Sequence, residues 1–87
     1  MNMRAVRRDK IQIYADILRA VEDEFLRHRE AKVTRVQYRA GVPFDRFKGY
    51  LKQLNHLGLV EVAGTLRLTG KGREFLDGCE RIRSFLN

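Results

Sequence analysis

The order of patterns along this 87-residue chain predicts an α+β fold, in which a three-helix core is followed by a short β-hairpin and a last helix. Apolar residues recur at three- and four-residue spacing in four segments, which is typical of helices that bury one face. Two short β-prone runs lie between the third and the fourth segment, and they indicate a hairpin. At this length we expect a single domain.

The first predicted helix begins near Asp9 and carries a wide apolar stripe. The stripe consists of Ile11, Tyr14, Leu18, Val21 and Phe25, with Ile17 and Leu26 beside them. A stripe of this kind is typical of core packing. Residues 1–7, which come before it, show no apolar periodicity, and we expect them to form a basic arm.

The second predicted helix begins at Thr34 and ends at Gly41. Thr34 and Gln37 have the spacing of a capping box, in which the threonine hydroxyl accepts from the backbone N–H of Gln37 and the glutamine reaches back to Thr34. We expect Val33 to pack on Tyr38 as a hydrophobic staple across this turn. Gly41 is suited to the left-handed conformation that ends a helix.

The third predicted helix runs over residues 43–58. Pro43 suits the first helical position, where its missing N–H would be unpaired in any case. Leu59 follows Gly58 and is placed to contact Leu54, as in a Schellman motif. The predicted buried stripe consists of Phe44, Phe47, Leu51 and Leu54, flanked by Tyr50 and Leu57.

The hairpin is predicted from residues 59–62 and 65–68, which are β-prone runs around Ala63-Gly64. Lys32 and Val33 are candidates for a further short strand. Thr69 is expected to cap the last helix. This order of elements is that of a winged helix-turn-helix, and it predicts a DNA-binding domain over residues 8–69 and a dimerisation helix over residues 70–87.

Four segments of the chain resemble a known family. They are RRDKI at 7–11, TRVQYRA at 34–40, residues 51–60 and LTGKGREFL at 68–76. These segments are similar to those of small basic archaeal winged-helix DNA-binding proteins, some of them chromatin-associated. Proteins of that family dimerise through a C-terminal helix that forms an antiparallel coiled coil. The resemblance therefore implies a double-stranded DNA-binding protein that acts as a homodimer.

Charge is distributed unevenly along the chain, whose net charge is +7. Residues 31–60 hold six basic side chains against the single acid Asp45, and residues 1–10 hold four against one, whereas residues 11–30 are net acidic. Such segregation favours a nucleic-acid partner over a membrane surface. A small basic domain with no nucleic-acid partner is the alternative.

The exposed face of the third helix is the predicted base-reading surface, because the second helix of a helix-turn-helix meets base edges while the preceding helix contacts the backbone. This face consists of Asp45, Lys48, Gly49, Lys52, Gln53 and His56, with Arg46 at its margin. We expect Lys52 and Gln53 to read guanine and adenine edges. A merely solvated helix face is the alternative.

Other basic residues are predicted to hold the DNA backbone. Arg35 and Arg39 on the second helix, together with Lys48, are expected to bind phosphates. Flanking contacts are expected from the basic arm and the outgoing strand of the hairpin. The complete predicted DNA-binding set is Arg7, Arg8, Lys10, Arg35, Arg39, Arg46, Lys48, Lys52, Gln53 and Arg67.

The last helix carries a coiled-coil seam of Phe75, Cys79, Ile82 and Leu86. Gly78 beside the seam would allow a second helix to approach closely. The seam predicts a homodimer, and the alternative is that it folds back to complete a monomeric core.

The sequence offers nothing that indicates catalysis, a cofactor, a metal ion or a small-molecule ligand. The single cysteine has no histidine in its own helix, the two histidines lie apart, and there is no glycine-rich phosphate loop. No apolar run approaches the roughly 20 residues needed to cross a bilayer. We expect a cytoplasmic, nucleoid-associated DNA-binding protein that is not an enzyme. A winged helix that binds a protein partner is the rival interpretation.

Overall fold

The computed structural model of the chain describes residues 8–86, which form four helices and two strands. In chain order these are α1 (Lys10–His28), α2 (Val33–Ala40), α3 (Phe44–His56), β1 (Val60–Ala63), β2 (Thr65–Leu68) and α4 (Gly70–Leu86). The predicted α+β order of a winged helix-turn-helix is therefore confirmed. Within the described residues, no helix is long and apolar enough to cross a membrane.

Helix α1 is the centre of the fold, and it contacts α2, β2 and α4. Its N-terminus is capped by Asp9, whose Oδ1 accepts from the backbone N–H of Gln12 at 2.8 Å. The middle of the predicted stripe is buried as expected. Its ends are not: Ile11, Phe25 and Leu26 are exposed, because the outer turns of α1 extend past the elements that cover its middle.

Helices α2 and α3 form the helix-turn-helix. Gly41 ends α2 at a φ of 69°, and its N–H donates to the carbonyl oxygens of Gln37 and Tyr38, which confirms the predicted stop. The capping box predicted at Thr34 and Gln37 is not formed. Helix α2 begins at Val33, so Thr34 lies inside the first turn, and the Gln37 amide donates instead to the Val42 carbonyl at 2.6 Å.

The prediction that Val33 packs on Tyr38 as a hydrophobic staple is also wrong, because Tyr38 is 84% exposed. Its ring lies on the outer face of α2, away from the core.

Helix α3 buries Phe47 and Leu54 completely, while Tyr50 and Leu51 are half-buried. Phe44 and Leu57 were predicted in the buried stripe but are 48% and 44% exposed. They occupy the two ends of α3, where the helix passes beyond the core. Pro43 was predicted at the first helical position but is the N-cap, one residue before the helix, and its carbonyl accepts from the N–H of Phe47 at 2.8 Å.

The Schellman motif at the end of α3 is confirmed. The N–H of Leu59 donates to the Leu54 carbonyl at 2.9 Å, and the N–H of Gly58 donates to the Asn55 carbonyl at 3.0 Å. Gly58 has a φ of 78°, a conformation that glycine adopts without steric cost. This stop directs the chain out of α3 and into the hairpin.

Strands β1 and β2 pair antiparallel, in a register that runs from Val60 opposite Leu68 to Ala63 opposite Thr65. The tip is Gly64 alone, one residue shorter than predicted. The strand expected at Lys32 and Val33 is absent from the described residues, because Lys32 is the N-cap of α2 and Val33 is the first residue of that helix. Ala31 makes the bridge instead, and its carbonyl accepts from the N–H of Leu66 at 2.8 Å.

Helix α4 is capped by Thr69, as predicted, because the threonine Oγ1 accepts from the N–H of Gly72 at 2.9 Å. The same hydroxyl donates to the Gly58 carbonyl at 2.7 Å. Gly72 packs against the backbone at the end of α3, and a Cβ atom there would lie 2.0 Å from the carbonyl oxygen of Leu59. The start of α4 is thereby joined to the end of α3.

Candidate nucleic-acid interface

The outward face of α3 is exposed over its whole predicted extent. Asp45, Arg46, Lys48, Gly49, Lys52, Gln53 and His56 are all exposed. Among the ion pairs formed within residues 8–86, none involves Arg46, Lys48 or Lys52. The positive charge of this face is therefore available to an external anion.

Gln53 is connected to the core through Tyr14, whose hydroxyl donates to the Oε1 atom of Gln53. Tyr14 is only 7% exposed and packs edge-on against Tyr50 and Phe75. This role of Tyr14 was not predicted from the sequence. The available signal was a tyrosine within a buried stripe, since a buried hydroxyl needs a hydrogen-bond partner.

The two arginines of α2 converge on Glu24, a carboxylate of α1 that is 2% exposed. Arg39 Nε donates to one oxygen at 2.8 Å, and Arg35 Nε donates to the other at 3.1 Å. The bond from Arg39 is the largest influence that lowers the pKa of Glu24, and the bond from Arg35 acts in the same direction against the opposing effect of burial. This cluster binds α2 to α1.

Glu24 was not predicted as a partner of these arginines. Its spacing gave a signal, since it follows Val21 by three positions and Ile17 by seven and so falls on the apolar stripe. Of its two partners, Arg35 keeps 55% of its side chain exposed and Arg39 keeps 33%. Phosphate binding by either arginine therefore remains a prediction, and both have a structural role in addition.

Arg8 lies against the end of α2 and not on a free arm. Its guanidinium donates to the carbonyl oxygens of Ala40 and Gly41, each at 2.9 Å, and to Asp16 Oδ2 at 3.0 Å. Cations near the last carbonyls of a helix stabilise it. Lys10 is exposed at the first position of α1, whereas Arg7 lies outside the described residues.

Arg67 lies on the hairpin directly opposite Glu61. Its Nη2 donates to Glu61 Oε1 at 2.9 Å, and its side chain is 73% exposed. The ion pair offsets the charge that this strand would present to a phosphate. The single-residue tip also gives the hairpin a short reach.

An apolar groove lies between α3 and β1. Phe44, Leu51, Val33 and Val62 line it, and Lys48, Lys52 and Asn55 complete its wall. The Nζ atom of Lys48 lies 5.4 Å from the centroid of the Phe44 ring. This groove was missed because Phe44 was assigned to the buried stripe.

The four residues of the predicted dimerisation seam divide into two pairs. Phe75 and Cys79 are half-buried against the chain's own core. Burial raises the pKa of the Cys79 thiol, as expected for a small apolar side chain. Ile82 and Leu86 are 63% and 76% exposed.

Phe85, which was not predicted as part of the seam, is 88% exposed beside Ile82 and Leu86. We call these three side chains the α4 end patch. Ile82 and Leu86 also line a groove between α4 and α1, together with Ile11 and Ala15 of α1. The described part of the chain thus leaves three large apolar side chains uncovered at the end of one helix.

A comparison with known protein families shows the family of this chain. A family model described as Winged helix-turn-helix matches residues 7–87, which includes all six elements of the fold. No curated protein matches the chain. Domains of the matched kind are typically non-enzymatic and bind DNA.

Proposed function

Because the chain belongs to the winged helix-turn-helix family, we propose that it binds double-stranded DNA by placing α3 in the major groove. The observation that carries the proposal is that three cations on the exposed face of α3, Arg46, Lys48 and Lys52, have no acidic partner within residues 8–86. The protein then acts as a transcriptional regulator or as a chromatin-type architectural protein.

The position of each side chain on α3 suggests its role. Lys52 lies near the centre of the outward face, where it would meet base edges such as the O6 and N7 atoms of guanine. Lys48 lies on the side of the hairpin and Arg46 on the opposite side, and both would bind phosphates along the groove walls. Arg35 adds a phosphate contact from α2, since more than half of its side chain is exposed.

A salt titration of DNA binding tests this proposal. Duplex affinity is expected to fall steeply with salt, and the logarithmic slope should decrease by about 0.9 for each phosphate contact removed. The double variant Lys48→Ala, Lys52→Ala should therefore show a shallower slope. The control is Lys71→Ala, Arg81→Ala, which removes equal charge from exposed positions on α4.

If the control lowers the slope as much as the α3 variant does, the contact does not lie on α3. If the protein shows no affinity for duplex DNA at low salt, the proposal is wrong, and the protein-binding interpretation takes its place.

We further propose that two copies associate through residues 70–87, with the α4 end patch at the centre of the interface. Exposed contiguous apolar side chains of this kind mark interaction surfaces. In a twofold dimer, two copies of α3 about 34 Å apart would enter successive major grooves on one face of the duplex. Phe75 and Cys79 contribute by holding α4 against its own domain.

Sedimentation of the intact chain and of the variant Ile82→Glu, Leu86→Glu tests the dimer. The intact chain should sediment as a dimer at micromolar concentration and the variant as a monomer, because two buried glutamates are costly. Both substituted side chains are exposed within one chain, so the fold should survive. A monomeric mass for the intact chain eliminates the dimer.

A further inference from the structure

Phe44 is the first residue of α3, and its ring is half-exposed in the groove between α3 and β1. Val33 and Leu51 line the inner side of this groove, and Val62 of β1, which is 45% exposed, lines the outer side. The domain leaves 48% of the Phe44 side chain uncovered. The groove therefore has an apolar surface that the fold itself does not cover.

The wall of the groove is basic. Lys48 and Lys52 are its charged residues, Asn55 adds an amide, and no carboxylate lines it. Lys48 holds its ammonium group over the Phe44 ring, within the range of a cation–π interaction. A matching ligand is thus a polyanion that also offers a small apolar group.

Duplex DNA has one such group in its major groove, the 5-methyl group of thymine. The N-terminal residues of the second helix in a helix-turn-helix are those that contact base edges, and Phe44 and Asp45 are the corresponding residues here. We propose that the groove receives a thymine methyl group and that Phe44 is a specificity-determining residue. This inference rests on the proposed DNA binding by α3.

The lysines favour DNA over a second copy of this chain as the occupant. Covering the groove with a protein surface would bury Lys48 and Lys52 away from water. Another copy of this chain offers little compensation, because seven of its eleven acids already form ion pairs with its own basic side chains. Phosphates beside a thymine would supply that compensation.

Deoxyuridine differs from thymidine only in lacking the 5-methyl group. Replacing thymine with uracil therefore tests the proposed contact between this methyl group and the groove. Two duplexes of identical sequence are prepared, one with thymine and one with uracil at every such position, and the affinity of each protein for both is measured. Burial of one methyl group corresponds to about 0.8 kcal/mol, so the chain should bind the thymine duplex about fourfold more tightly for each methyl in the groove. Phe44→Ala should bind the two duplexes equally.

Two further variants test whether the thymine preference depends on the groove. Leu57→Ala removes an apolar side chain of similar exposure from the other end of α3, outside the groove, and should retain the thymine preference. Val62→Thr places a hydroxyl on the exposed side of the groove with little change in volume, and it should reduce the preference. Circular dichroism establishes that each variant is folded.

Equal binding of the two duplexes by the unmodified chain overturns the inference. A thymine preference that survives intact in both Phe44→Ala and Val62→Thr overturns it as well, because the methyl group is then read elsewhere. Failure to bind either duplex at low salt has a different meaning, since it refutes the proposed DNA binding and this inference together.

Discussion

The hydroxyl group of Tyr14 donates a hydrogen bond to the Oε1 atom of Gln53 and so joins the buried side of α1 to the exposed side of α3. One lone pair of the carbonyl oxygen of this side-chain amide is thereby engaged and the oxygen is held toward Tyr14, so the NH2 group is the end better placed to meet a ligand. A bidentate contact with adenine needs both ends of the amide. Gln53 is thus positioned as a donor, suited to guanine, to the O4 atom of thymine or to a phosphate oxygen.

Replacing Tyr14 with phenylalanine should therefore change DNA preference. The Gln53 amide gains rotational freedom, and we expect increased selection of adenine at the position it reads, together with a loss of about 1 kcal/mol in the free energy of unfolding from the missing hydrogen bond. Selection of binding sites from a random pool measures the preference. Tyr50→Phe is the matched control, since Tyr50 packs on Tyr14 without contacting Gln53 through a hydrogen bond in the described structure. Identical selected sites for all three proteins would contradict the assigned role of Tyr14.

Acid should destabilise the protein through Glu24. The Arg39 bond lowers the pKa of this carboxyl in the folded state from its ordinary value of 4.5. A group of this kind contributes stability that is fully present above its unfolded pKa and is lost as the pH falls through the folded pKa. The melting temperature of the intact chain should therefore fall as the pH drops below about 4.5, and more steeply than that of Glu24→Gln.

At neutral pH, Glu24→Gln should melt at a lower temperature, because both arginines lose their anionic partner. Asp23→Asn is the control, since this neighbouring acid forms no ion pair among the described residues and should leave the acid dependence unchanged. Equal acid dependence in Glu24→Gln and the intact chain would show that Glu24 does not carry the effect.

Two glycines should respond in opposite directions to alanine. The Cβ atom of alanine at position 72 would meet the Leu59 carbonyl oxygen at 2.0 Å, so we expect a loss of about 1–3 kcal/mol in the free energy of unfolding. Gly49 lies inside α3 with nothing within 4 Å of an added Cβ, and Gly49→Ala should gain about 1 kcal/mol. Urea denaturation measures both. A stabilised Gly72→Ala would mean that α4 does not pack closely on the end of α3.

The stabilised Gly49→Ala variant also has a second use. If the DNA backbone or a base edge approaches Gly49 closely, alanine should weaken DNA binding even though it stabilises the helix. Unchanged affinity would mean that the glycine has no part in recognition.

Features that depend on a few neighbouring residues were predictable from the sequence. The stops at Gly41 and Gly58 and the caps at Asp9 and Thr69 follow from interactions that span five residues or fewer. The exposed face of α3 followed from helical periodicity in the same way. The prediction of a capping box at Thr34 failed because α2 starts one residue earlier. A sequence can therefore match a local capping motif at more than one possible helix start.

The interior of the candidate site was less predictable, because its contacts join residues distant in sequence. Arg39 meets Glu24 across fifteen positions, and Tyr14 meets Gln53 across thirty-nine. The exposure of Phe44 depends on where the core ends, which periodicity does not reveal. Helical periodicity therefore identified the exposed surface of α3. It did not reveal that Arg35 and Arg39 already form hydrogen bonds within the fold.

The close contact between Gly72 and Leu59, together with the Thr69 hydroxyl on Gly58, joins the start of α4 to the residues that follow α3. In a dimer built through α4, this joint would constrain the distance between the two copies of α3. Such a protein would tolerate little variation in the number of base pairs between its half-sites. For the protein to bind DNA with a different half-site spacing, the duplex rather than the protein would have to bend or twist.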